Sequence, residues 1–256
     1  MGGIMNKVLE FIRKRLKLVH VLVPIIILAI AAPMIKPWFS RTFPWVVNRL
    51  RKEYTVGDRL KEFGKAVESR TSSLYTSNSL TWPPTTIIYV CFKDARELLV
   101  YAGNDDKAVK FIRKYPVLAS SGKLGPKLKE GDTQIPEGIY RIVSLNPNSL
   151  YHLSMEIDYP NEFDRQKAGQ DGRSKIGSDI FIHGQVASIG CISIGNEAIE
   201  DLFVMSALTG IKKIKVIISP TDFRKKELPP GLPEQLPKWH DELYSQIRKE
   251  LMLLPE

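Results

Sequence analysis

The chain of 256 residues, with 43% hydrophobic and 25% charged residues, is long and apolar enough for one substantial core and is not the composition of a disordered protein. Its formal net charge of +9 suits an anionic surroundings such as lipid or wall polymer. The basic residues are scattered outside the N-terminal run and Arg224 to Lys226, and neither a basic helix interleaved with aromatics nor a metal-ligand finger is present, so nucleic acid is not an expected partner.

Residues 1–40 are expected to lie outside the fold. Lys7, Arg13, Lys14, Arg15 and Lys17 precede an apolar run from Leu18 to Ile35 without a formal charge, and Lys36, Trp38 and Arg41 follow it. Basic, then apolar, then interfacial is the order of a signal or signal-anchor, and it predicts an inner-membrane anchor with everything after Trp38 in the periplasm. Small residues at Ala29 to Ala32 offer a cleavage site, which Pro33 would hinder. Residues 41–84 read as a helical and polar connector, its partial period broken at Val56-Gly57-Asp58 and ended by the polar run Thr71 to Ser79 and by Pro83-Pro84.

From residue 85 to 220 the pattern is that of short strands. Thr86 to Phe92 and Glu97 to Tyr101 predict a hairpin, Val109 to Lys114 a helix or strand, Val117 to Ser121 a strand, and Ile139 to Ser144 another. Gly122 to Gly138, rich in glycine and proline, predicts a long shaped loop, a lid or a passive connection. Ser149 to Asp158 alternates in part, Asp179 to His183 predicts a short strand, Asn196 to Leu208 a helix, and Ile214 to Ile218 a last strand. The expected class is mainly β with helical decoration (α+β). Residues 221–256 read as a proline-rich linker and a C-terminal helix, Trp239 to Leu253.

One constellation carries chemistry. His183 at a strand end and Cys191 near the start of an expected helix are joined by a short loop bounded by Gly184 and Gly190. An adjacent imidazole and a helix N-terminus both favour the thiolate nucleophile. Amides of Cys191 to Ser193 would form an oxyanion hole. The run HGxxxSIGC, after GPKxxEGDxxxPEGxY (Gly125 to Tyr140) and YHLSMEIDYPNxxDR (Tyr151 to Arg165), resembles the L,D-transpeptidase catalytic domain of the YkuD family, in its YafK-like branch.

The resemblance implies a β-sandwich-like core, Cys191 as nucleophile, His183 as general base, Gly184 and Gly190 shaping the pocket and Ser188 as the motif serine. It implies peptidoglycan stem peptides as substrate, with acyl transfer through a thioester. The alternatives are hydrolysis of a wall-linked amide, including release of a wall-linked lipoprotein, and an inactive wall-binding module. A thiol protease of another fold would need an Asn or Asp orienting His183. This sequence departs from the commoner branch at Ile189, where histidine is usual, at Ser193, and in a shorter gap from His183 to Cys191. His152 either lines the cleft or is hydrogen-bonded within the sheet. Arg165 or Arg173 would pair with a stem-peptide carboxylate or be solvated. Neither a metal nor a cofactor is expected, and Cys91 is expected to be a free, buried strand residue.

Overall fold

The computed structural model describes residues 53–105 and 108–255. The expected membrane segment, residues 1–40, and the first part of the connector lie outside them. Among the described residues no helix is long and apolar enough to cross a membrane.

The frame is an eight-stranded mixed sheet. In chain order its strands are β1 (Thr86–Phe92), β2 (Glu97–Gly103), β3 (Val109–Pro116), β4 (Gly138–Asn146), β5 (Ser154–Ile157), β6 (Phe181–His183), β7 (Ile192–Ser193) and β8 (Ile214–Ser219). They lie side by side as β3-β2-β1-β8-β4-β5-β6-β7. The pairs β1 with β8 and β6 with β7 are parallel, and the rest are antiparallel. β4 serves both halves of the sheet. Its Gly138 to Arg141 pair with β8, its Ile142 to Asn146 with β5, and the register slips between Ile142 and Ser144, where an extra residue lets the strand bend.

Helices cover both faces, and this explains why β1 reads as continuous apolar sequence. Tyr89 and Cys91 face one cluster with Leu202, Phe203 and Met205 of α3 (Asn196–Thr209). Val90 and Phe92 face the other with Tyr244, Ile247 and Leu251 of α4 (His240–Leu251). The expected mainly β architecture with helical decoration is what forms. Cys91 is 2% exposed, and burial pushes its thiol up to about 12.

Several elements differ from expectation. The interruption at Val56-Gly57-Asp58 is the first turn of a 21-residue helix, α1 (Val56–Thr76). Thr55 Oγ1 accepts the Asp58 N–H at 3.1 Å, and an Asp58 carboxylate oxygen accepts the Thr55 N–H at 2.9 Å, a capping box that starts a helix at a glycine. α1 does not hold the domain at a distance. Val67, Thr71 and Tyr75 are buried, and Arg70 binds Asp201 of α3 at 2.5 Å. A second unexpected helix, α2 (Glu162–Gln170), is opened by the capping box of Asn161 and Asp164. Val117 to Ser121 contributes a single bridge, from Ala119 to Ser193, and the first half of Ser149 to Asp158 is a turn. Between α3 and β8 lies one 3-10 turn, and another precedes α4.

Candidate active site

β6 and β7 form the end of the sheet that carries His183 and Cys191. Their parallel register sets Ile182 against Ile192 and His183 against Ser193. Side chains alternate across a sheet, so the two isoleucines enter the core while His183 and Ser193 turn to the opposite face. Cys191 immediately precedes β7, the strand that pairs with the one ending on His183. The pairing of β6 with β7 therefore brings the segments that carry His183 and Cys191 side by side.

Each side chain has a defined setting. His183 is 2% exposed, its Nδ1 lies 2.6 Å from the Gly184 carbonyl oxygen, and a carbonyl can only accept. Nδ1 therefore carries the proton, and Nε2 of the neutral ring is the lone-pair nitrogen. Burial holds the imidazole below its ordinary value of 6.5, against the opposing pull of the Gly184 carbonyl. The Tyr151 ring lies over it at 4.5 Å between centroids and 32° between planes.

Cys191 departs from expectation. It precedes a two-residue strand, and α3, which begins at Asn196 as expected, starts five residues on, so no helix N-terminus supports a thiolate. Burial raises the thiol above 9.0, and Asp179 adds to the rise, outweighing the stabilising Phe181 N–H and Lys127. With the imidazole lowered and the thiol raised, the resting pair is neutral. The Sγ atom lies 3.9 Å from the Asp179 carbonyl oxygen.

The loop between the two residues is held from three sides. Ser188 Oγ donates to the Cys191 carbonyl at 2.5 Å, closing the turn before the nucleophile. Gly190, at φ +109°, gives its N–H to Ser121 Oγ at 2.7 Å. Gly184 is required by space: a Cβ there would sit 2.7 Å from the Tyr151 carbonyl oxygen and 2.8 Å from Asn196 Oδ1. Of the amides expected to bind an oxyanion, that of Ser193 is directed at the Ala119 carbonyl, at 3.4 Å.

Two other expected site residues are placed elsewhere. His152 does not line the cleft with Cys191; its Nε2 is 2.9 Å from a carboxylate oxygen of Glu200 on α3, and the Phe63 ring of α1 meets it edge-on. Arg173 is tied to Asp171 at 2.8 Å and to the Leu128 carbonyl at 2.7 Å, so it braces the Gly122 to Gly138 loop from outside. Arg165 donates to the Pro160 carbonyl, and Asn161 caps α2.

A cavity that no motif announces lies against Asp179, whose carbonyl oxygen is 3.9 Å from Cys191 Sγ. It measures about 370 Å³ and is walled by Lys127, Glu130, Thr133, Asp179, Ile180 and Ile189. Lys127 within it is 8% exposed and pairs with Asp132 at 2.5 Å, a contact that the GPKxxEGD spacing makes possible by folding the loop back on itself. The arrangement offers a proton acceptor, a nucleophile and an adjoining recess, the parts needed for covalent acyl transfer.

The matched relatives agree with that chemistry. A family model described as the L,D-transpeptidase catalytic domain, YkuD, matches residues 86–218. YafK of Escherichia coli strain K12, an L,D-transpeptidase by provisional name, is 34% identical over 134 residues, 50% of this chain and 52% of that protein. YafK of Escherichia coli O157:H7 matches equally, and the chain spans about half the length of these curated relatives. Among solved structures, the helical cell shape determining protein Pgp2 from Campylobacter jejuni is 24% identical with a TM-score of 0.44, over 53% of this chain and 48% of that one. Bd1075 of Bdellovibrio bacteriovorus is 24% identical with a TM-score of 0.39, over 55% and 50%. With just over half of its length matched by the family model, the chain belongs to the YkuD family of L,D-transpeptidase catalytic domains.

Proposed function

We propose that the protein is a peptidoglycan-modifying cysteine acyltransferase, an L,D-transpeptidase, anchored in the inner membrane with its catalytic domain in the periplasm. The observation that carries this reading is the setting of His183 on the strand that pairs with β7, itself directly after Cys191, with Nδ1 committed to the Gly184 carbonyl and Nε2 left as the base nitrogen. Family membership supports stem peptides of the wall as the substrate class, and the basic and apolar start of the chain is the basis for the proposed location.

In the first half-reaction His183 Nε2 takes the thiol proton as Sγ attacks the peptide carbonyl. The tetrahedral intermediate collapses with loss of the leaving amine, which receives that proton from the imidazolium, and a thioester remains. In the second, an acceptor amine attacks the thioester carbonyl while His183 takes a proton from it. The new amide forms, and the proton returns to the departing Cys191 thiolate. Burial of both groups suits this order. The thiol is not ionised beforehand, so proton removal and attack are coupled when a carbonyl is in place.

The test is incubation of the protein with purified peptidoglycan, with muropeptides followed by mass spectrometry and Cys191→Ala as control. New cross-links that require Cys191 are expected. Released peptides or lipoprotein without new links would replace transpeptidation by hydrolysis, and activity retained in folded Cys191→Ala would remove Cys191 from the mechanism.

A further inference from the structure

The segment ahead of residue 86 lies outside the family match, yet it reaches His152, two residues from the strand that pairs with the one carrying His183, through two contacts. Phe63 of α1 meets the His152 ring edge-on at 5.4 Å between centroids. Arg70 of α1 bonds Glu200 at 3.1 Å and Asp201 at 2.5 Å, and Glu200 holds His152 Nε2 at 2.9 Å. His152 is thus clamped between α1 and α3. It is also in the left-handed region, at φ +75°, in the turn between β4 and β5, where a non-glycine residue needs its surroundings to hold it.

The residue before it in that turn is Tyr151, whose ring covers His183. Tyr151 contributes its carbonyl to the Leu153 N–H at 3.1 Å, and the Leu153 carbonyl accepts the Gly184 N–H at 3.2 Å. The turn is therefore stitched to the backbone just after His183, while Gln185 Nε2 bonds the Leu150 carbonyl at 3.1 Å. We propose that Tyr151 is the positioning residue of His183, and that α1, through Phe63, Arg70 and the His152–Glu200 pair, holds Tyr151 in place. This rests on the reading of His183 as the base.

The physical role has two parts. A tyrosine ring stacked at 4.5 Å limits rotation of the imidazole about its side-chain bonds, so that Nε2 keeps its aim. The same ring covers one face of His183, and burial of this kind is what lowers the imidazole's pKa. The titrating groups around His183 are Cys191 ahead of the neighbouring strand, Tyr151 above it, and the His152–Glu200 pair one residue along the turn. No carboxylate is hydrogen-bonded to the His183 ring among the described residues, so stacking and the Gly184 carbonyl are its supports.

The experiment is a titration of the His183 ring by NMR in the full chain, with labelled histidine, for the wild type and for Tyr151→Phe, Tyr151→Ala, Phe63→Ala and Glu200→Gln. The pH profile of kcat and KM on peptidoglycan is measured beside it. Tyr151→Phe should titrate as the wild type. Tyr151→Ala should raise the His183 pKa, move the acid limb of the profile to higher pH by the same amount, and lower kcat about tenfold or more with little change in KM. Phe63→Ala and Glu200→Gln should shift His183 in the same direction by less. Unchanged titration in Tyr151→Ala would overturn the proposal, as would a change confined to KM, which would make Tyr151 a substrate contact. A shifted His183 with no matching limb in any profile would leave the positioning intact and remove His183 as the base.

Discussion

Glu137 of the PEG motif is 1% exposed, and the perturbation of its partners has a size that can be worked out from its contacts. Its carboxylate accepts from Lys93 Nζ at 2.9 Å, the Gly125 N–H at 2.7 Å and the Tyr244 hydroxyl at 2.7 Å. Lys93 also donates to the carbonyls of Gly125 and Ile135. One buried ion pair thus joins β1, both ends of the Gly122 to Gly138 loop and α4. Lys93→Met removes the counter-charge and strands a buried carboxylate, a loss of about 3 to 5 kcal/mol, with the two remaining donors favouring the lower figure. Tyr244→Phe removes one hydrogen bond to a charged acceptor, about 1.5 to 3 kcal/mol. Lys93→Met with Glu137→Leu should cost less than the sum of the two single changes, because no charge is then left unpaired. Urea unfolding of the four proteins at pH 7 measures the cycle. A Lys93→Met cost under about 1 kcal/mol, or strict additivity, would refute the account of the pair as a brace.

Gly184→Ala should abolish wall-modifying activity and destabilise the fold by about 1 to 3 kcal/mol, because the new Cβ meets two fixed oxygens, and a thermal melt beside the activity assay checks both. Since burial lowers the His183 pKa, its neutral form persists into acid, so the acid limb of kcat/KM should fall below pH 6.5, as a pH series of the wild type will test. Asp164 is raised to about 6 by burial, so the folded state binds its proton more tightly than the unfolded one, and the resulting stabilisation is present at low pH and lost as pH rises through about 6. Asp164→Asn should therefore narrow the difference in unfolding free energy between pH 4.5 and 6.5, measured in urea.

The chemistry-bearing residues were legible in the sequence because they lie in short ordered motifs, and β1, β2, β4 and β8 because aliphatic, β-branched or aromatic residues predominate over five residues or more. Other elements hid for identifiable reasons. The buried stripe of α1 includes Thr71, whose hydroxyl bonds the Val67 carbonyl, so a polar letter stands at a core position and the run Thr71 to Ser79 looks like linker. α2 buries Lys167 against Glu242 in place of an apolar residue, leaving the Asn161 and Asp164 capping box as its one local signal. β7 has two residues, too few for any period, and without it Cys191 looks adjacent to the start of the helix that begins at Asn196. That error had a chemical consequence. A thiol at a helix N-terminus would be expected below its ordinary pKa, whereas this one, before a strand and partly buried, is raised.

The two walls of the site are held by segments on either side of the family match. On one side α1 supports the turn that carries Tyr151 over His183; on the other α4, through Tyr244 and Glu137, supports the loop whose Lys127 and Thr133 line the cavity beside Cys191. Neither support is a member of the HGxxxSIGC motif. A fragment limited to residues 86–218 would keep both reacting groups but expose the surfaces now covered by Val67, Tyr75, Ile247 and Leu251. Exposing one such side chain alone costs about 1.5 to 3 kcal/mol of burial, which several together make comparable to the whole stability of a domain. In the proposed mechanism the motif supplies the chemistry, and the flanking helices supply the rigidity that a thiol and an imidazole need to react only when a carbonyl is aligned with them.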